Sequence, residues 1–145
     1  MVQESATWGV IQPNDIKFVP KRWGYERWLV NNEKFCGKEL FIASGKYTSF
    51  HWHEIKEEML YVQSGVLGWI WLDDREDTGH PADTHQWMKI YPGGGFYVLP
   101  NIIHQLYAVE GDVVIIETSS QHFDEDSYRA TTELMHDFNY EDDGK

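Results

Sequence analysis

The sequence predicts an all-β domain, a sandwich or a barrel, with one short C-terminal helix. Turn-forming residues recur at near-regular spacing: Gly45, Ser64-Gly65, Gly93-Gly94-Gly95, Pro100-Asn101 and Glu110-Gly111-Asp112. Short runs between them read as strands. Upstream of residue 127 no amphipathic helix of ordinary length interrupts the series.

The clearest strands are residues 38–43, 48–53, 58–63, 66–72, 96–99, 104–109 and 112–117. Residues 73–95 carry charges and turn formers and read as a loop or lid, with a short strand at 87–91. The helix is placed at 127–138, where Tyr128, Leu134, Met135 and Phe138 share a face, and an acidic tail follows. The 145 residues fit one domain: an arm over about 1–20, a barrel over about 21–120, and the helix and tail over about 124–145.

Composition narrows the function classes. Hydrophobic residues at 41% and charged residues at 25% are globular proportions. The aromatic share, 15% with seven Trp, is high, and such rings both fill barrels and line small-molecule pockets. A net charge of −12 repels polyanions, so neither nucleic acid nor an anionic membrane surface is an expected partner. Cys36 has no second cysteine to pair with and reads as a small buried hydrophobe. The opening residues show no basic-then-apolar leader, so a cytoplasmic location is expected.

The chemistry concentrates in residues 45–65. Residues two apart on a strand face the same way, so His51 and His53 present both imidazoles to one side. A turn through 54–56 leads to the next strand, whose first inward residue is Glu58, with Leu60 and Val62 below it. His104 opens a later apolar strand, and Leu106 and Ala108 continue its parity into the core. An isolated H-x-H is ordinarily two solvated histidines. Here the glycine, the paired His, the Glu, the second glycine and the later strand-opening His point together to one metal site. Three imidazoles and a carboxylate suit a divalent transition ion (Mn, Zn, Fe or Ni) better than Ca or Mg. His80, His85, His122 and His136 have no such spacing and read as ordinary polar residues.

At these positions the chain resembles the cupin superfamily. Its first signature, G-x5-H-x-H-x4-E-x6-G, is matched by Gly45, His51, His53, Glu58 and Gly65. The second is matched by Gly93, Pro100 and His104, with Asn101 where glycine is usual and Ala108 where Asn is. The resemblance implies a double-stranded β-helix, the jelly-roll barrel. A narrower likeness is to the cupin domain of type II mannose-6-phosphate isomerases. Trp23, Gly24, Lys38 and Ser49 fall into its register, Lys56 stands for its Arg, and Glu117 with Arg129 stands for its closing Glu and Arg. Arg22 and His51 depart from its usual Pro and Gln.

That likeness implies a metal-dependent aldose–ketose isomerase acting on a sugar or sugar phosphate. Glu58, Glu117 and Tyr97 are then the acid–base candidates, and Lys56, Arg129 and Tyr61 the substrate-binding ones. A metal-dependent dioxygenase or lyase, and a non-catalytic sugar-binding cupin, are the alternatives. Exposed edges and abundant aromatics make a homodimer the expected assembly.

Overall fold

The computed structural model describes residues 8–72 and 86–130. Within them run β1 (Lys17–Lys21), β2 (Gly24–Asn31), β3 (Cys36–Ile42), β4 (His51–Trp52), β5 (Glu58–Leu72), β6 (Gln86–Ile90), β7 (Gly95–Val98), β8 (Ile103–Ser119) and β9 (Tyr128–Arg129). Two single 3-10 turns, Pro13–Asp15 and Asp124–Asp126, are the helical elements of this part. No helix among the described residues is long and apolar enough to cross a membrane.

Two long strands organise everything else. β5 and β8 pair antiparallel from Glu58↔Ser119 to Leu72↔Ile103. The first half of β5 and the second half of β8 join β7, β3, β2 and β1 in one layer. Their other halves join β6, β4 and β9 in a second. Register shifts between Val62 and Leu67 mark where β5 passes from one layer to the other. Gly65 sits there at φ 78°, and a Cβ on it would collide with the Asp112 carbonyl. Gly111, at φ 69°, makes the matching turn on β8.

Each long strand therefore replaces two expected strands. The turn glycines bend the ladder without ending it, because the partner strand bends beside them. The expectation did not include β1 and β2. The inward positions of β2 include Glu26 as well as Trp28, which blurs the apolar alternation that marks a strand. Of the expected C-terminal helix, Tyr128 and Arg129 are instead strand, held against β4 by Trp52↔Tyr128 and His51↔Arg129. Residues 131–138, the acidic tail, most of the 73–95 loop, and His80, His85 and His136 lie outside the described residues.

The main core fills the space between the layers: Leu40, Ile42, Leu60, Val62, Leu67, Trp69, Val98, Leu106, Ala108, Val113 and Ile115. Burying each large apolar side chain contributes roughly 1.5–3 kcal/mol. Phe50, Ile70, Ile103 and Ala130 form a second cluster behind the β4 layer, covered by Trp52, Leu72, Trp87 and Tyr107. Trp52 thus packs away from its flanking histidines, as strand parity requires, and stacks on Tyr128 at 5.6 Å.

Candidate metal centre

At one end of the inter-layer space the lining changes from apolar to ionisable. His51 on β4 faces His104 on β8 as a direct cross-strand pair. His53 follows two residues on, so strand parity brings the three rings together. Ring centroids lie 4.4 Å apart for His51 and His104, 5.2 Å for His51 and His53, and 5.9 Å for His53 and His104. Potential ligand nitrogens of all three lie within 4.8 Å of one another.

The tautomers follow from the hydrogen bonds. Nδ1 of His51 meets the Ser49 carbonyl at 2.8 Å, that of His53 the Asp126 carbonyl at 2.9 Å, and that of His104 the Ile102 carbonyl at 2.8 Å. A carbonyl oxygen only accepts, so each Nδ1 carries the proton and donates it. Nε2 is left as the lone-pair nitrogen on every ring. Orientation of this kind, by a backbone acceptor behind the ring, is how metal-binding histidines are held.

Charge reinforces it. Burial, then the neighbouring His104 and His53, hold the His51 pKa well below the imidazole range. Burial, then the Lys56 charge, lowers that of His53 to about 4. Both rings are neutral and ligand-ready at pH 7.

Glu58 stands beside them on the first position of β5, with Oε1 3.3 Å from His104 Nε2. With Nδ1 protonated, that nitrogen presents a lone pair to a carboxylate oxygen. Only a cation between them, a proton or a metal ion, reconciles the contact. Oε2 of Glu58 is fully enclosed, has no aligned hydrogen bond, and is approached by Lys56 Nζ at 2.8 Å. Burial alone would raise the Glu58 pKa, but Lys56 and then His104 hold it well below the carboxylate range. The donor set fits a borderline divalent ion: three imidazole nitrogens, with Glu58 alongside His104 as the fourth group.

Lys56 joins this carboxylate to a second one, Glu117, at 3.3 Å. Burial would lower its pKa, but Glu117 and Glu58 together raise it above the lysine range. Its ammonium also points at Nδ1 of His122, 3.4 Å away. An ammonium only donates, so His122 accepts at Nδ1 and donates from Nε2 to Asp124 at 3.1 Å. His122 is the opposite tautomer to the three clustered rings. Burial, then Lys38 and Lys56, lowers its pKa to about 3. The polar lining continues through Lys38, 3.4 Å from Glu26 and stacked 4.1 Å over Trp28.

The 54–56 turn has its own clasp. The Asp126 carboxylate accepts the backbone N–H groups of Glu54, Ile55 and Lys56 at 2.9–3.2 Å. A turn on the other side of the site is tuned by Asn101, at φ 71°, whose N–H donates to the His53 carbonyl at 2.7 Å. Asparagine tolerates that left-handed conformation better than any residue except glycine, which accounts for its place where the cupin signature carries glycine.

The structure brings His51, His53, Glu58, His104, Lys56 and Glu117 together. It corrects three other expectations. Tyr97 is 60% exposed on the outer face, bonded through its hydroxyl to Glu57, and stands away from the barrel interior. Tyr61 is 44% exposed and also outward, because it alternates with the buried Leu60 and Val62. Lys56 is only 3% exposed and already paired with two carboxylates, so it is no free cation for a phosphate. Arg129 sits opposite His51 in register and is exposed at the rim. His122, Asp126 and Glu26 were missed. A buried polar residue anchored by a distant loop leaves no periodic trace in the sequence.

Sequence comparison matches the chain to no family model and to no curated protein. Comparison of structures does find matches. The chain aligns with oxalate decarboxylase from Bacillus subtilis at TM-score 0.71 and 15% identity, covering 93% of this chain and 35% of that one. It aligns with the capsular polysaccharide assembling protein CapF from Staphylococcus aureus at 0.66 and 16%, covering 79% and 34%. The match to KdgF from Halomonas sp. has a TM-score of 0.64 and 16% identity, and covers 82% of this chain and 98% of that one. The fold is that of a cupin. The chain spans about a third of the length of CapF and of the decarboxylase, and nearly the whole of KdgF.

Proposed function

We propose that this cupin is a metal-dependent enzyme that interconverts an aldose and a ketose, with His51, His53, His104 and Glu58 holding one divalent transition-metal ion. The observation that carries the reading is the convergence of three Nδ1-protonated histidines, one of which, His104, turns its lone-pair nitrogen to Glu58. When bound, the ion supplies Lewis acidity toward a carbonyl-bearing substrate. The backbone carbonyls of Ser49, Ile102 and Asp126 keep the three rings aimed. Glu58 and Glu117 are the proton carriers beside the ring cluster, and Lys56 between them keeps both carboxylates oriented. Arg129, without an ion-pair partner among the described residues, is the remaining cation near His51 for an anionic substituent.

The test has two readouts. Metal-loaded protein is incubated with D-mannose and with mannose 6-phosphate, and product is followed by NMR. Metal content of His53→Ala and His104→Ala is measured by elemental analysis. Formation of the ketose, with metal lost from both variants, is the expected result. Absence of interconversion by fully loaded protein would reject the isomerase reading, and full occupancy in the variants would reject the ligand set.

A homodimer is part of the same proposal. Phe18, Tyr25 and Phe41 form an aromatic ladder on the outer face of β1–β3, with centroids 5.0 and 4.9 Å apart and Phe18 54% exposed. Sedimentation of wild type and Phe18→Asp distinguishes a dimer through this face from a monomer.

A further inference from the structure

The ring body of a sugar substrate needs a surface besides the proton carriers Glu58 and Glu117 and the rim cation Arg129. Trp71 lies directly opposite His104 in the β5–β8 register, so both side chains leave the same face of the sheet. Its parity is that of Leu67 and Trp69, and it packs on the inter-layer core. Trp71 ends an aromatic row. Phe96 stacks on Trp69 at 3.9 Å, Trp69 stacks on Trp71 at 6.0 Å with planes 15° apart, and Trp69 also lies 5.3 Å from the His104 ring. Trp69 is buried at 6% exposure, whereas Trp71 is partly exposed.

Two features set Trp71 apart from a packing residue. Among the described residues Trp69 is its one ring partner, and the side chain is only partly buried. Its indole N–H has no hydrogen-bond partner among those residues, although tryptophan N–H groups normally find one when enclosed. A flat apolar surface whose edge donor has no partner among the described residues, next to the clustered imidazoles, suits a ligand that is apolar on one face and hydroxylated at its rim.

We propose that Trp71 is a stacking platform for the cyclic form of a neutral sugar, holding a six-membered ring beside His104. The proposal rests on the isomerase reading and adds the substrate class: an uncharged pyranose, bound as a ring before it opens. The enclosed charges agree, because Lys56 is paired with Glu58 and Glu117 and offers nothing to an anion, and Arg129, the cation left for one, is exposed at the rim. Axial C–H bonds of the sugar lie against the indole face, and a ring hydroxyl accepts from the indole N–H. Trp71 is a specificity residue in this role, with no part in proton transfer.

Calorimetry on metal-loaded protein provides the test, with methyl α-D-mannopyranoside, which cannot open, and mannitol, which has no ring, as probes. Wild type is expected to bind the glycoside more tightly than mannitol. Trp71→Ala is expected to weaken glycoside binding about tenfold, the size of one aromatic contact, while mannitol binding stays unchanged. Trp71→Phe should recover part of the loss, and elemental analysis should show wild-type metal content in both variants. Equal glycoside affinity in wild type and Trp71→Ala overturns the proposal, as does equal binding of the two probes by wild type, or binding of neither. Those results leave the isomerase reading standing if metal-loaded wild type still converts free mannose. Loss of that conversion, with stacking intact, rejects the isomerase reading alone.

Discussion

The two ends of the inter-layer space are built from the same strands and could hardly differ more in chemistry. β5 begins with Glu58 and continues inward through Leu60 and Val62, while β8 turns His104 inward at its second position, continues through Leu106 and Ala108, and returns through Ile115 to Glu117. One end is closed by aliphatic packing that needs no partners. The other holds at least five buried ionisable groups whose burial is tolerable only because each is paired. Stability is thus drawn from the apolar end. The polar end is held in place by it and carries a standing cost of desolvation, which a bound cation would offset.

The sharpest way to break this comparison is to remove the charge at the centre of the polar end. Lys56→Ala leaves Glu58 and Glu117 buried without their counter-ion, and should destabilise the protein by about 3–5 kcal/mol in urea unfolding. Lowering pH should then restore part of the loss by protonating the two carboxylates. A loss below about 1 kcal/mol would mean that water reaches the pair.

On the apolar side, Leu60→Ala, one alternation below Glu58, should cost about 2–5 kcal/mol. Metal content per folded protein should stay at the wild-type level. Metal lost together with Leu60 would show that the two ends are not separable. Asp126→Ala should cost about 2–3 kcal/mol by unpairing the N–H groups of Glu54, Ile55 and Lys56. It should also loosen metal binding, since the same residue's carbonyl orients His53.

Acid should separate the ends without mutation. The His53 pKa is about 4 in the fold against 6.5 ordinarily, so the unfolded chain takes up the proton first as pH falls. Stability of the metal-free protein is therefore full above about pH 6.5 and declines toward pH 4. His122, lowered to about 3, acts in the same direction. Thermal melts across that window should show a falling Tm, and bound metal should flatten the fall until the ligands protonate. The smallest effect belongs to Tyr97→Phe. The ring is exposed and outside the barrel, so stability should change by less than about 0.5 kcal/mol and turnover not at all.

Legibility in the sequence followed periodicity. His51, His53, Glu58 and His104 could be read because alternation and turn glycines fix which way a strand residue points, whatever it touches. The outward sense of Tyr61 was equally legible from the parity of Leu60 and Val62, and naming it a site residue overlooked that rule. The paired state of Lys56 was not legible. Its turn position suggests a solvated lysine, and only the approach of Glu117, 61 positions away, encloses it. Asp126 precedes the helix expected at 127–138, and nothing local marks it as the clasp of a turn 70 residues upstream.

By itself the sequence determined the strand-rich architecture, a change of chain direction at Gly65 and Gly111 (though as turns between separate strands rather than bends within one), and the four side chains aimed inward at one end. Local backbone preference and a two-residue period are enough to specify those. The tertiary structure alone decided which carboxylate faces which cation, which tautomer each histidine adopts, and which tryptophans are buried. Those outcomes depend on contacts between segments far apart in the chain, and no local pattern encodes the distance between them.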